Sequence, residues 1–287
     1  MAVEQAYGFK SFNLIAEENS LISGIFPITM LKTPLKRPEL VALPYCDVGT
    51  ILAKSLEAKA ELLNEAIVIA KSNNASVLDI RGQINHDLLH GHDYSVQTVG
   101  NKVRMLLDLP HSSEGLWDGF KSKLRSQIRK AEKNGLVFQF SERVDDFYPV
   151  FSENMRDLGS PVHSKKWIKS VIKFFDKQAK IGIVQFDQKI VGVGIILSAG
   201  KTVSIPWAST SREYNRLGPN MLLYWNFLRY AADNGYATFD FGRSTLNEGT
   251  FRFKSQWGAK PYPLKWHHII LQGQKEVSGN YNENSAK

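Results

Sequence analysis

Apolar residues along this chain recur with period two in some stretches and at helical spacing in others, and the two kinds of stretch follow one another in the same order twice. Residues 21–31 (LISGIFPITML) predict a strand, 41–45 a second, 54–72 an amphipathic helix and 75–81 (ASVLDIR) a third strand. Further on, 189–198 and 203–208 predict strands, 219–234 a helix and 237–241 a strand. Short matches align the two sets: LPY ending at Tyr45 with IPW ending at Trp207, and VLDIRG around Asp79 with TFDFGR around Asp240. The spacing from Pro44 to Asp79 is within one residue of that from Pro206 to Asp240. The pattern predicts an α/β protein built from two copies of a β-β-α-β unit, with halves at 1–112 and 113–287.

Between the copies, residues 114–134 predict one long helix, with Ser112 or Ser113 as N-cap and Gly135 just past its end. Its apolar stripe, Trp117, Phe120, Leu124, Ile128 and Ala131, is explained by core packing. Beside the stripe runs a basic row, Lys121, Arg125, Arg129 and Lys133, joined by Lys123 and Lys130. Like charges four residues apart cost a helix ~0.2–0.5 kcal/mol per pair, so solvent or a bound anion must relieve them. Arg125, Arg129 and Lys130 are therefore candidate substrate-binding residues. Two more helices are expected over 145–158 and 164–178, and the polar stretch from Gly273 is expected to fray.

At 287 residues, 43% apolar and 11% aromatic, the chain can bury one large core or two ordinary ones. A net charge of +8 favours anionic partners: nucleic acid, phosphorylated small molecules or acidic lipid surfaces. The single cysteine, Cys46, excludes an internal disulfide and a C-x-x-C zinc site. The first residues lack a signal-peptide pattern, and the longest apolar run, 190–199, is far below the ~20 residues needed to span a bilayer. A cytoplasmic protein is expected.

Candidate chemistry concentrates between residues 236 and 264, where Asp240, Arg243 and Lys254 stand among aromatic residues. An unpaired charge in such a setting is costly, so it marks either a paired structural group or a site. Alternation of Phe251 and Phe253 with Arg252 and Lys254 predicts an extended segment with Lys254 opposite the phenylalanines. Trp207 and Tyr224 fit either a cleft wall or a core. NRLGPN at 215–220 faintly follows the pattern of a pyrophosphate-binding turn, making Gly218 and Asn220 candidate cofactor contacts, although Pro219 removes an N–H. His86, Asp87 and His90 (HDLLH, with His92 nearby) fall short of the zinc-protease H-E-x-x-H, and no metal is expected. His267 and His268, in an apolar strand-like end, suggest one buried and one exposed imidazole.

KSKLRSQIRKAEKNG at 121–135, together with FDFGRS and FRFKSQWG in the stretch 222–264, resembles the FemAB family of the GNAT-fold superfamily, above all its exopolysaccharide- and exosortase-associated members. The resemblance covers most of the chain and implies two tandem GNAT-like domains, the first reduced at its N-terminus. It implies transfer of an aminoacyl group from aminoacyl-tRNA to an amine of a peptidoglycan or exopolysaccharide precursor. The lysine of the F-K-x-x-W-G segment, Lys254 here, would stabilise the transition state, with Arg243 and Asp240 beside it and Phe253 and Trp257 bordering the substrate. No tightly bound cofactor is implied. The partners would be aminoacyl-tRNA and an anionic cell-envelope precursor, with peripheral contact at the inner membrane surface and no DNA. Two alternatives stay open: an acyl-CoA-dependent N-acyltransferase acting on an amino sugar, and a non-catalytic RNA- or polymer-binding module.

Overall fold

The computed structural model describes residues 2–85, 88 and 94–271. His86, Asp87, His90 and His92 lie outside the described residues, as does the polar tail from Gly273. The opening elements are α1 (Ala2–Tyr7), β1 (Lys10–Glu18), β2 (Leu21–Leu31), β3 (Glu39–Ala42), β4 (Leu52–Ala53), α2 (Leu56–Ser72) and β5 (Val77–Arg81). There follow β6 (Tyr94–Asp108), α3 (Ser113–Gly119), α4 (Ser122–Lys133), β7 (Val137–Ser141), α5 (Val144–Asp157), α6 (Lys165–Phe175) and β8 (Ala179–Phe186). Last come β9 (Lys189–Ala199), β10 (Thr202–Thr210), α7 (Pro219–Asp233), β11 (Thr238–Thr245), α8 (Gly249–Ser255) and β12 (Lys260–Leu271). Two compact units result: Val3–Lys102 together with the chain from Pro263, and Val103–Tyr262. The last strand thus counts mainly with the first unit, where the halves expected from sequence assigned it to the second.

In the first unit the strands lie in the order β1-β2-β3-β5-β12, with β4 also on β2. The β1–β2 and β2–β3 pairs are antiparallel, β3–β5 is parallel, and β12 returns antiparallel to β5. α2 makes the crossover that a parallel pair requires. Ser55 caps it by accepting the Ala58 N–H at 3.1 Å, and Leu62, Leu63, Ala66, Ile67 and Ala70 recur at helical spacing on its buried face. They close over Phe26, Ile28, Leu40, Leu78 and Ile80. Each large side chain so buried contributes about 1.5–3 kcal/mol.

The second unit repeats the arrangement with the order β6-β11-β10-β9-β8-β7. β8–β9 and β9–β10 are antiparallel, β10–β11 is parallel, and α7 makes the crossover. β1, β2, β3, α2 and β5 thus correspond to β8, β9, β10, α7 and β11, the duplication expected from sequence. Among the described residues the first unit has α1 before β1, where the second has β7, α5 and α6 before β8. A glycine pair draws α7 onto the second sheet. Gly182 and Gly194 face each other across β8 and β9, and a Cβ on either would come within 2.6–2.7 Å of the Phe227 ring.

Two sequence expectations change. The single helix over 114–134 is broken, because Phe120 is extended (φ −76°, ψ 142°). Its ring is buried 5.8 Å from Trp225 and 5.6 Å from Trp257, contacts that a continuous helix would not give it. Ser112 is the N-cap of the first piece, its Oγ accepting the Gly115 N–H. Lys121, expected within the basic row, becomes the N-cap of α4 instead. The expected extended segment around Lys254 is helix α8; Lys254 lies in its last turn and Trp257 just past its end, and both are buried.

Candidate functional site

Each unit ends its parallel pairing on an aspartate. In the second, β10 and β11 are in register only from Thr202/Thr238 to Ser204/Asp240. Beyond that rung β10 stays with β9 through an irregularity between Ser204 and Trp207, while β11 turns away. Gly242 makes the turn possible with φ +73°, where a Cβ would clash with the following carbonyl. The result is a wedge at the carboxyl ends of two parallel strands, the place where open α/β sheets bind ligands.

Asp240 and Lys254 secure the β11 wall. Asp240 is buried; its Oδ1 accepts the Gly242 N–H at 2.8 Å and its Oδ2 accepts Arg104 Nε at 2.7 Å. The guanidinium that reaches Asp240 comes from Arg104 on β6, not from its near neighbour Arg243. Two charge-assisted bonds hold this carboxylate and fix the turn of β11. Lys254, 9% exposed, donates from Nζ to the Arg243 carbonyl oxygen at 2.7 Å, so its ammonium sits against the backbone of the β11 wall. Beneath it lies an aromatic nest. Tyr224 stacks on Phe241 with centroids 5.7 Å apart and meets the edge of Phe253 at 4.9 Å. Burial pushes the Tyr224 phenol well above its ordinary pKa, which keeps it neutral. Trp257 is 1% exposed, so it supports the nest from within the core rather than bordering a ligand as expected.

Three polar atoms around the wedge are buried without a hydrogen-bond partner among the described residues: Ser209 Oγ on β10, Ser244 Oγ on β11 and Asn220 Oδ1 in the first turn of α7. Buried polar groups are nearly always satisfied, so such a cluster is a place for water or ligand to bind. On the opposite wall, Trp207 follows the β10 irregularity and meets the His163 imidazole with centroids 6.1 Å apart. Burial lowers the His163 pKa from its ordinary value and favours the neutral ring. The Tyr148 hydroxyl donates to the His163 carbonyl and ties the α5–α6 connection in place.

The first unit closes the equivalent opening with its own chain. There the parallel rungs run from Glu39/Val77 to Val41/Asp79, and Asp79 is buried and paired with Arg81 at 3.0 Å. Past that rung Gly49 exchanges two 2.7 Å backbone bonds with Arg81. It lies so close to β3 that a Cβ would sit 2.1 Å from the Ala42 carbonyl oxygen. Arg81 also stacks on Trp266 and donates to the Cys46 carbonyl. The chain itself fills the opening of the first unit, whereas β10 and β11 part beyond Ser204/Asp240, so the second unit is the candidate for the site. In the first unit, where one exposed imidazole was expected, neither is: His267 is buried with Nδ1 2.9 Å from Thr98 Oγ1, and the His268 side chain is 12% exposed, 3.5 Å from Asp79.

Gly218 and Asn220 open α7. Gly218 is left-handed (φ 85°), and its carbonyl accepts the Met221 N–H at 3.0 Å. Pro219 offers no N–H, so the first turn has few free donors for a pyrophosphate. The Asn134 side chain, at the end of α4, donates to the Leu217 carbonyl, which brings the basic helix beside this junction. On α4, Arg125 is half-buried, Lys130 is exposed, and the Arg129 guanidinium lies 5.2 Å over the Trp117 ring. Stacking on a ring leaves guanidinium edges able to meet an anion. Sequence reasoning missed Arg104, whose signal was the alternation of Val103, Met105 and Leu107 around it. No group of metal ligands occurs among the described residues.

Sheet order, wedge and crossover helix are those of a GNAT fold. Residues 119–255 match the acetyltransferase (GNAT) domain family, which spans the open wedge and Lys254. Over 94% of this chain and 90% of the other, the structure superposes on the crystal structure of FemX with a TM-score of 0.69 at 16% identity. L-PGS from Bacillus licheniformis matches with a TM-score of 0.61 at 13% identity, over 88% of this chain and 82% of that one. A tandem GNAT protein from the clavulanic acid biosynthesis pathway matches at 0.62 and 9% identity, over 94% and 85%. No curated protein matches the chain significantly.

Proposed function

We propose that the protein is an aminoacyltransferase of FemAB type, joining an amino acid from aminoacyl-tRNA to an amine of an anionic peptidoglycan or exopolysaccharide precursor. The observation that carries this reading is the buried Lys254 ammonium, held against the open wall of the second wedge by the Arg243 carbonyl within the FemAB-like F-K-x-x-W-G sequence. The acceptor amine, as the free base, attacks the ester carbonyl of the donor. The C–N bond forms as the carbonyl oxygen becomes an oxyanion; collapse then expels the tRNA hydroxyl, which leaves with the proton lost by the amine. The bond from Nζ to the Arg243 carbonyl fixes the ammonium at the wall, where it would donate to the oxyanion as that charge develops. Arg104 and Asp240 position the wall. Arg125, Arg129 and Lys130 meet phosphate, and Trp207 faces the substrate across the wedge. The protein works in the cytoplasm at the inner membrane surface; no helix among the described residues is long and apolar enough to cross a membrane.

An acyl-CoA donor is the second reading, favoured by the left-handed Gly218 and the α7 N-terminus beside β10. Purified protein offered radiolabelled aminoacyl-tRNA or acyl-CoA, each with envelope-precursor amines, separates the two. Amide product from aminoacyl-tRNA alone supports the proposal, and product from acyl-CoA alone replaces it. Salt-sensitive tRNA binding without product from either donor would make the protein a binding module.

A further inference from the structure

The connection between β2 and β3 holds a leucine in a conformation that leucine disfavours. Lys36 N–H donates to the Thr33 carbonyl at 3.3 Å across a turn with Pro34 at its second position and Leu35 at its third, where φ is +65°. This is a type II turn, whose third position calls for glycine or asparagine. Leu35 is nonetheless fully exposed at 107% of its reference area, the highest value among the exposed large apolar residues described. An aliphatic side chain that packs on nothing and strains its own backbone gains nothing from the fold.

Its surroundings are basic. Lys32 and Lys36 flank the turn and are exposed, and Arg37 reaches the Asn74 side chain just past the end of α2. Ser76 N–H donates to the Pro38 carbonyl, fastening the turn to that end of the unit, where exposed Lys71 closes the last turn of α2. Exposed Lys10 starts β1 opposite Met30 on β2. Among the described residues, the acidic groups placed at this end are Glu39, at the start of β3, and Glu4, whose carboxylate accepts the Ser11 N–H, fewer than the cations.

We propose that this turn is a membrane-docking tip: Leu35 enters the acyl boundary of an anionic bilayer while Lys32, Lys36, Arg37 and Lys71 meet its phosphates. A lone aliphatic tip and a modest basic patch are each weak, and together they make a reversible two-signal anchor. Nucleic acid would use the cations equally but offers the leucine nothing, since single strands are gripped by aromatic stacking. The proposal deepens the membrane-surface reading given under the proposed function and is tested by binding alone, so its failure leaves the transfer chemistry standing.

The test is co-sedimentation of the full chain with vesicles of phosphatidylglycerol and phosphatidylcholine, against phosphatidylcholine alone, with a titration of bulk tRNA alongside. The parent is expected to bind the anionic vesicles and to be released by salt. Leu35→Gly suits φ +65° and keeps the fold, yet should weaken vesicle binding at least about fivefold, corresponding to partial burial of one leucine side chain. Lys32→Glu with Lys36→Glu should weaken it more than about twentyfold, at roughly fivefold for each cation near such a surface and more for reversal. Parent binding no greater than to phosphatidylcholine overturns the proposal, and so does vesicle binding unchanged by Leu35→Gly. Loss of tRNA binding alone in the double reversal would reassign the turn to nucleic acid.

Discussion

Replacing Lys254 by methionine keeps the length of the side chain and removes its charge and donors. The stability cost follows from the 2.7 Å bond it makes to the Arg243 carbonyl at a site 9% exposed. Losing such a donor costs about 1–3 kcal/mol, toward the lower end here because methionine no longer pays to bury a charge. At ~2–4 °C per kcal/mol for a domain of this size, the melting temperature should fall by several degrees, leaving the protein folded at 25 °C. Turnover should fall much further: one oxyanion donor is worth about 10²–10³ in kcat, or ~2.7–4 kcal/mol of barrier, with KM changing little. Kinetics with the donor that supports parental turnover, run beside thermal unfolding by circular dichroism, separate the two effects. Lys254→Arg should regain part of kcat, because it keeps the charge with a different fork. A folded methionine variant with kcat within about threefold of the parent, against the expected 10²–10³, would remove Lys254 from the chemistry and leave it a structural strut.

Arg104→Met should destabilise the second unit by about 1–3 kcal/mol, less than a fully buried pair because the Arg104 side chain is 32% exposed, and Arg104→Lys by less; denaturant midpoints at constant m-value test this. Arg125→Glu with Arg129→Glu should raise KM for the anionic substrate and flatten its salt dependence, whereas an unchanged KM at low salt would make the row a solvated face. Burial depresses the His163 pKa, so below its ordinary value of 6.5 the unfolded chain takes up the proton first. The stability contributed by the neutral ring should be complete above that value and lost as pH falls through the depressed one, and His163→Asn should abolish this slope in pH-dependent unfolding. Ser164→Ala removes the acceptor for the Trp167 N–H and should cost α6 about 0.5–2 kcal/mol by thermal unfolding.

Local pattern was enough to read the duplication. Strand alternation, the helical stripe of α2 and the capping serines each depend on residues a few positions apart, so 21–81 and 189–241 declared their elements directly. The LPY and IPW matches marked the two copies, but only the structure showed that parallel pairing stops at the rungs of Asp79 and Asp240. Lys254 stood out as a charge in an aromatic stretch, but its secondary structure did not. In a segment as short as FRFK, alternation and helix give similar apolar spacing, and packing against β11 and Tyr224 selected the helix. The break in the long helix had the same origin, because burying Phe120 between Trp225 and Trp257 outweighs one turn of backbone hydrogen bonds. Only the tertiary structure could pair Asp240 with Arg104, 136 positions earlier, rather than with its neighbour Arg243. The choice between the two wedges was likewise tertiary. Both copies carry the same strands and the same buried aspartate, and one is closed because Gly49, lacking a Cβ, can slide between Ala42 and Arg81. Residue types and periodicity determined most elements of this protein; the helix around Lys254, which charges meet and which opening its own chain fills depended on contacts between residues far apart in the chain, where close approach and burial, not local propensity, decide the energy.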